Sequence, residues 1–266
     1  MEYRETILSL LEEGLRNNPA VHALWLEGAD GLGTTDEYSD LDIWLDVADG
    51  REEDILELCL SLLEPVGKPD FVESHANPHP LIFQKNIHLT GTSPYLLLDI
   101  CIQSHSRGAE GCTFFEGDEA EYPRVLFDKS GVVTILPPPP VEPASLRPLY
   151  DRCLEIFAQR ARVVKYCRRG LYPEAFAYYH KYVVEPLVTL ARLLHTPRHA
   201  DYGMVHLSQH LPADLAALVS CLCQTAGIAD IESRLSLADT LYARLLTSLE
   251  TAYGFAADIN ELHSIQ

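Results

Sequence analysis

The sequence predicts an α/β (α+β) protein, with a small mixed-sheet domain over residues 1–140 followed by an all-α helical bundle over 141–266. Three observations predict it. Helix-period and strand-period apolar patterns alternate through the first half, whereas the second half keeps the helical period almost throughout. Pro137 to Pro140, followed by Val141, Glu142 and Pro143, can continue neither a helix nor a central strand and reads as a stiff extended connector. The charge changes at the same point: residues 1–140 carry 8 basic and 26 acidic side chains, net −18, and residues 141–266 carry 12 and 13, net −1.

In order, Glu2 to Arg16 places Ile7, Leu10, Leu11 and Leu15 on one helical face. Val21 to Leu26 reads as a buried strand, Gly28 to Gly33 as a glycine-rich turn, and Asp40 to Val47 as a second strand. Arg51 to Leu63 is an amphipathic helix ending before Pro65. Leu81 to Thr90 and Tyr95 to Gln103 read as further strands. Val125 to Asp128, a Lys129-Ser130-Gly131 turn and Val132 to Leu136 suggest a hairpin. Beyond the prolines, Leu146 to Arg169 is a helix stopped by Gly170. Pro173 to Leu194 follows, interrupted by Pro186, and Leu207 to Leu211, Pro212 to Cys223 and Ile231 to Tyr253 complete a bundle.

Composition excludes several classes. A domain near −18 repels a nucleic-acid backbone and attracts cations, so no nucleic-acid partner is expected. No run of 18 apolar residues suggests a membrane span, and the charged, amphipathic start of the chain is unlike a signal peptide. Seven cysteines, an odd number without a CxxC pair, imply reduced thiols and a cytoplasmic protein. No zinc site is expected at Cys221 and Cys223. The eleven histidines are scattered, with His75, His79 and His88 near strand ends and without metal-ligand spacing.

Chemistry concentrates in Trp25-Leu26-Glu27-Gly28-Ala29-Asp30-Gly31-Leu32-Gly33 and Ser39-Asp40-Leu41-Asp42-Ile43-Trp44. Side chains alternate across a strand, so Asp40 and Asp42 point one way and Leu41 and Ile43 into the core. Two carboxylates about 7 Å apart along a strand repel unless a cation lies between them. Mg²⁺ suits such oxygens and keeps positions for water and phosphate. Asp99 is the one charge in the apolar run Tyr95 to Ile102, and burying it unpaired would cost several kcal/mol. Residues 17–50 contain no Lys or Arg, so a metal shared by Asp40, Asp42 and Asp99 would neutralise all three.

These residues resemble the nucleotidyltransferase superfamily typified by DNA polymerase β, and more narrowly the aminoglycoside and lincosamide nucleotidyltransferases. That pattern is an apolar residue, Gly, then Ser or Gly, about ten residues, then Asp-apolar-Asp-apolar, with a further Asp on a later strand. Here Gly28 and Ala29 precede Asp40-Leu41-Asp42-Ile43 by ten residues, and Asp99 takes the third role. The resemblance implies a metal-dependent enzyme that moves a nucleoside monophosphate, AMP from Mg·ATP or from another nucleoside triphosphate, to a hydroxyl of a small-molecule acceptor. It implies two Mg²⁺ ions on Asp40, Asp42 and Asp99. Asp99 would also serve as the proton acceptor, and Gly28 with the N–H groups of Ala29 and Asp30 would cradle the phosphates. The acidic domain suits a cationic, aminoglycoside-like acceptor. Two positions depart from the pattern. Ala29 keeps the N–H but not the hydroxyl, and Asp30 stands where many relatives have Arg or Lys; both weaken triphosphate binding.

In the second half, Arg162, Lys165 and Arg169 share one helix face, either a solvated face or one that meets the triphosphate across an interdomain cleft. Lys181 is either an i,i+4 partner of Glu185, beside packed tyrosines, or a phosphate ligand. Trp44 shares the Asp42 face, and the spacing of Arg192 and His199 carries no expected function. Two other functions fit the same residues. One is a degenerate nucleotide-binding or protein-interaction module without turnover, which Ala29 favours. The other is AMP transfer onto a protein side chain, as in antitoxin-type relatives.

Overall fold

The computed structural model describes residues 2–75, 79–109 and 111–256. It has the expected α/β class, with a mixed six-stranded sheet and a C-terminal helical region. The chain divides into two compact units, Met1–Pro139 and Pro140–Gln266.

The first unit begins with α1 (Glu2–Arg16), β1 (Val21–Leu26), α2 (Gly28–Leu32), β2 (Leu41–Val47) and α3 (Glu52–Leu63). It continues with β3 (Pro69–His75), β4 (Ile82–Leu89), β5 (Leu98–Ser104), β6 (Thr113–Phe115), β7 (Arg124–Asp128) and β8 (Thr134–Leu136). The main sheet runs β3-β4-β5-β2-β1-β7. β2 and β5 are parallel neighbours, and the other pairs in this sheet are antiparallel. One face, carrying Leu24, Leu26, Leu41, Ile43, Leu45, Leu98, Ile100 and Ile102, packs on Ile7, Leu11 and Leu15 of α1 and Ile55, Cys59 and Leu63 of α3. The other face carries a smaller apolar group of Ala23, Trp25, Cys112, Phe114 and Val132, with Trp44 against it. The alternation of β2 therefore buries its aliphatic residues under the helices and leaves Asp42, Trp44 and Asp46 on the opposite face.

Three local readings change. Gly28 to Gly33 is not an open turn but the short helix α2, closed by Gly33 in the left-handed region. Val125 to Leu136 is not a hairpin: β7 pairs with β1, whereas β8 pairs in parallel with β6. Asp128 explains the divergence, because its carboxylate accepts the N–H groups of Ser130, Gly131 and Val133 and turns the chain away from β7. β3 has no strong apolar alternation and escaped the sequence reading. The side chain of His75 lies outside the described residues.

The second unit contains α4 (Pro143–Phe157), α5 (Ala161–Arg168), α6 (Tyr172–Tyr179), α7 (Glu185–His195), α8 (Leu207–His210), α9 (Ala213–Cys223) and α10 (Ile228–Tyr253). Its core includes Tyr150, Phe157, Val183, Leu187, Leu190, Tyr242 and Leu246, and Phe157 stacks on Tyr242 at 3.9 Å between ring centroids. The helix expected from Leu146 to Arg169 is interrupted by a 3₁₀ turn at Ala158–Arg160. The expected break at Pro186 takes the form of a π turn at His180–Val184, just upstream of the proline that cannot donate a backbone hydrogen bond. That extra residue per turn changes the ion pairing. Glu185 meets His180, five positions earlier, at 3.7 Å, rather than Lys181. Buried Arg192 has a structural role, donating to the carbonyls of Gly203 (2.6 Å) and Val205.

Candidate active site

Asp42 and Asp99 are brought together by the sheet. They are register partners on the parallel strands β2 and β5, at the end where both strands begin. Neighbouring strands lie about 4.8 Å apart, so the two half-buried carboxylates sit side by side on the face away from α1 and α3. Burial first, then the charges of Asp99, Asp40 and Asp30, push Asp42 up to about 6. Asp40 precedes the first paired residue of β2 and is exposed. It feels Asp42, but among the described residues the three acids do not form a close three-atom group.

The glycine at the start of α2 meets Asp42 directly. Gly28 has φ +53°, and a Cβ there would lie 2.0 Å from Asp42 Oδ2. Only glycine satisfies both the backbone conformation and the close approach. The Glu27 N–H donates to the Asp42 carbonyl at 3.1 Å, which fastens the entry of α2 to β2. Ala29 and Asp30 occupy the first turn of that helix.

Three neighbours were not foreseen. Glu27 is a further carboxylate beside Asp42. Burial is the main cause that pushes it up to about 7; the Trp25 indole N–H, donating at 2.8 Å, opposes this, and Glu121 and Asp42 add to it. Arg4, from α1, supplies the cation missing from residues 17–50. Its guanidinium pairs with Asp30 and donates to the carbonyls of Ser39 and Asp40, the last at 3.0 Å. The Asp30 side chain is therefore an internal ion-pair partner, with Arg124 a further 3.9 Å contact, and only its backbone is available to a ligand. Gln84 is the third. Its amide donates to both oxygens of Asp99, at 3.0 and 2.8 Å, so a shared metal is not the sole answer to burying Asp99. No local signal marks Arg4 or Gln84, because each arrives from a distant element. Glu27 was visible next to the glycine but had no partner in sequence to give it a role.

At the same end of β2 and β5, Tyr38 and Tyr95 are exposed and form an edge-to-face pair at 5.1 Å. Trp44 stacks on Trp25 at 5.8 Å and so belongs to the wall of this face. In the second unit, Lys181 is exposed on the π turn and lies over the Tyr182 ring at 5.5 Å. Arg162 also lies over Tyr182, and Arg169 over Tyr166, each at 5.6 Å. These positively charged residues thus cover aromatic faces of their own unit.

No protein-family profile and no curated protein sequence matches the chain. Solved structures do match, and two of them cover nearly all of it. An aminoglycoside 6-adenyltransferase from Bacillus subtilis is 14% identical, with 97% of this chain and 94% of that chain covered and a TM-score of 0.44. A spectinomycin adenyltransferase from Enterococcus faecialis, solved with ATP and spectinomycin, is 10% identical, with 98% and 94% covered and a TM-score of 0.33. Both are nucleotidyltransferases. No described helix is long and apolar enough to cross a membrane.

Proposed function

We propose that the first unit is the catalytic domain of a nucleotidyltransferase that transfers AMP from ATP to a hydroxyl of a small, cationic acceptor such as an aminoglycoside-like antibiotic. The observation that carries this reading is the juxtaposition of Asp42 and Asp99 on parallel strands, with the backbone of Gly28 pressed against the Asp42 carboxylate. The donor set fits hard divalent cations. Burial, and then the neighbouring carboxylates, hold Asp42 well above its ordinary value, and a positive charge would offset that penalty. Asp42 and Asp99, joined by the exposed and rotatable side chain of Asp40, are the residues proposed to hold Mg²⁺. Bound Mg²⁺ would supply positive charge to the phosphate oxygens and to the attacking oxygen.

The chain's own groups then divide the work. The N–H groups of Ala29 and Asp30, with the open backbone of Gly28, receive the β and γ phosphates. Asp99, held by Gln84, accepts the proton of the acceptor hydroxyl. The hydroxyl oxygen bonds to the α-phosphorus, the bond to the β-phosphate oxygen breaks, and pyrophosphate leaves. Tyr38 and Tyr95 offer exposed ring faces for the base or for the acceptor cation. The reading of Lys181 as a phosphate ligand is tested by Lys181→Ala through the KM for ATP.

Titration with ATP in a calorimeter, with and without Mg²⁺, measures binding; pyrophosphate release across a panel of hydroxylated, cationic acceptors measures turnover. Metal-dependent binding together with acceptor-dependent release is the expected result. Binding without product for any acceptor would replace the enzyme by the binding-module reading, which the absent hydroxyl at Ala29 favours.

A further inference from the structure

Farther along the same face of the sheet, His22, Asp46 and His105 converge. One ligand atom from each lies within 4.8 Å of the others. We infer that these three residues form a binding site for a divalent transition-metal ion of the zinc class, separate from the acidic site and independent of the proposed transferase function. Asp46 follows Asp42 by four residues on β2, a distance of about 13 Å along a strand, with the stacked pair of Trp44 and Trp25 between them.

The donor chemistry is that of a borderline ion. Two imidazoles and one carboxylate make a three-residue set that leaves a fourth position for water. The Asp46 carboxylate is completely buried, and His105 Nδ1 lies 2.6 Å from its Oδ1. The His22 and His105 rings are 4.2 Å apart between centroids, while the His105 side chain is 46% exposed, so the cluster is open on one side. Two ligands on a tetrahedral ion stand roughly 3.3 Å apart, so loading would replace the bridging proton between His105 and Asp46 by the ion and widen that contact slightly.

The surroundings orient each ligand. The second oxygen of Asp46 accepts the Gln103 amide at 2.6 Å. Gln103 cannot turn over freely, because its own carbonyl accepts from Arg107 and, at 3.1 Å, from Cys112. Supporting contacts of this kind fix the direction of a ligating carboxylate. The Ser106 N–H donates to Asp49 Oδ1 at 2.9 Å, which pins the short 3₁₀ turn carrying His105 to the end of β2. His22 sits at a β-bulge: Val21 pairs with Val47, yet Ala23 pairs with Asp46. The inserted residue lets both His22 and Ala23 face the side that carries Asp46, which plain alternation would forbid.

The test uses tag-free, full-length protein stripped with a chelator. Calorimetric titration with Zn²⁺ is expected to show one site of 1:1 stoichiometry, and Co²⁺ in its place should give the intense visible absorption of a four-coordinate ion. His22→Ala and His105→Ala should each weaken Zn²⁺ binding by about tenfold or more, with the far-ultraviolet circular dichroism unchanged. His105→Gln keeps a donor to Asp46 but not an imidazole ligand, so it should restore thermal stability without restoring the Co²⁺ spectrum. Asp42→Asn should leave the site intact. Absence of a stoichiometric site, persistence of binding in both histidine variants, or its loss in Asp42→Asn would each overturn the assignment.

Discussion

Asp42 and Asp46 lie on the same strand and the same face, yet their surroundings oppose one another. Asp46 is fully buried and has both oxygens engaged, one with His105 and one with Gln103. Asp42 is less buried and, among the described residues, lacks such donors; burial first, then the charges of Asp99, Asp40 and Asp30, push it up to about 6. The degree of burial alone therefore does not decide how an acid is held; the charges and donors around it count as well. Crowding like charges costs stability, and such a site persists only because well-packed β2 and β5 impose the register.

Four substitutions would break or sharpen this contrast. Asp42→Asn is expected to lower turnover by about 10³-fold or more, equivalent to roughly 4 kcal/mol in the barrier, with the fold unchanged. Pyrophosphate release at saturating ATP checks it, and retained turnover would remove Asp42 from the chemistry. Asp46→Ala is expected to act on stability instead, by about 2 kcal/mol, since it removes the closer acceptor of the buried Gln103 amide and leaves only the 3.3 Å bond to the Gly108 carbonyl. Urea unfolding measures that loss.

Glu27→Gln probes the crowded end through pH. Glu27 titrates at about 7 in the folded protein against 4.5 ordinarily, so the folded state holds the extra proton between these values. Stability is therefore expected to fall as pH rises from 4.5 to about 7, by about 3 kcal/mol at most. The Gln variant should be more stable than the parent at pH 8 and no more stable at pH 4. Urea midpoints at the two pH values decide it, and an equal difference at both would show that Glu27 is not the responsible group. Ala29→Ser has the smallest expected effect. A hydroxyl added in the first turn of α2, the proposed phosphate contact, should tighten ATP by about 0.5–1.5 kcal/mol, read as the dissociation constant, with no change in the affinity for Zn²⁺.

Much of the architecture was open to inspection beforehand. The strands at Val21, Asp40 and Leu81, the helix after Arg51 and the helical second half follow from apolar period, and proline and glycine bounded several of them. β3, with its weak alternation, and the pairing of β8 with β6 were hidden because partners were chosen across the fold rather than by the nearest turn. In the same way, the Asp-x-Asp strand and the Gly28-Ala29 pair, separated from it by ten residues, were legible locally, whereas the Gln84 contact to Asp99 depends on neighbouring strands. Lys181 shows the limit within a single helix, since one π turn moved the partner of Glu185 to His180.

By itself, the order of residues determined which segments bury apolar faces, where the proline connector falls, and that the first half carries a large negative charge, because these depend on local period and composition. Tertiary structure alone decided that Arg4 answers Asp30, that Gln84 holds Asp99, and that His22, Asp46 and His105 meet. Side chains far apart along the chain become neighbours only when strand register and a bulge set their directions, and no short-range pattern encodes that.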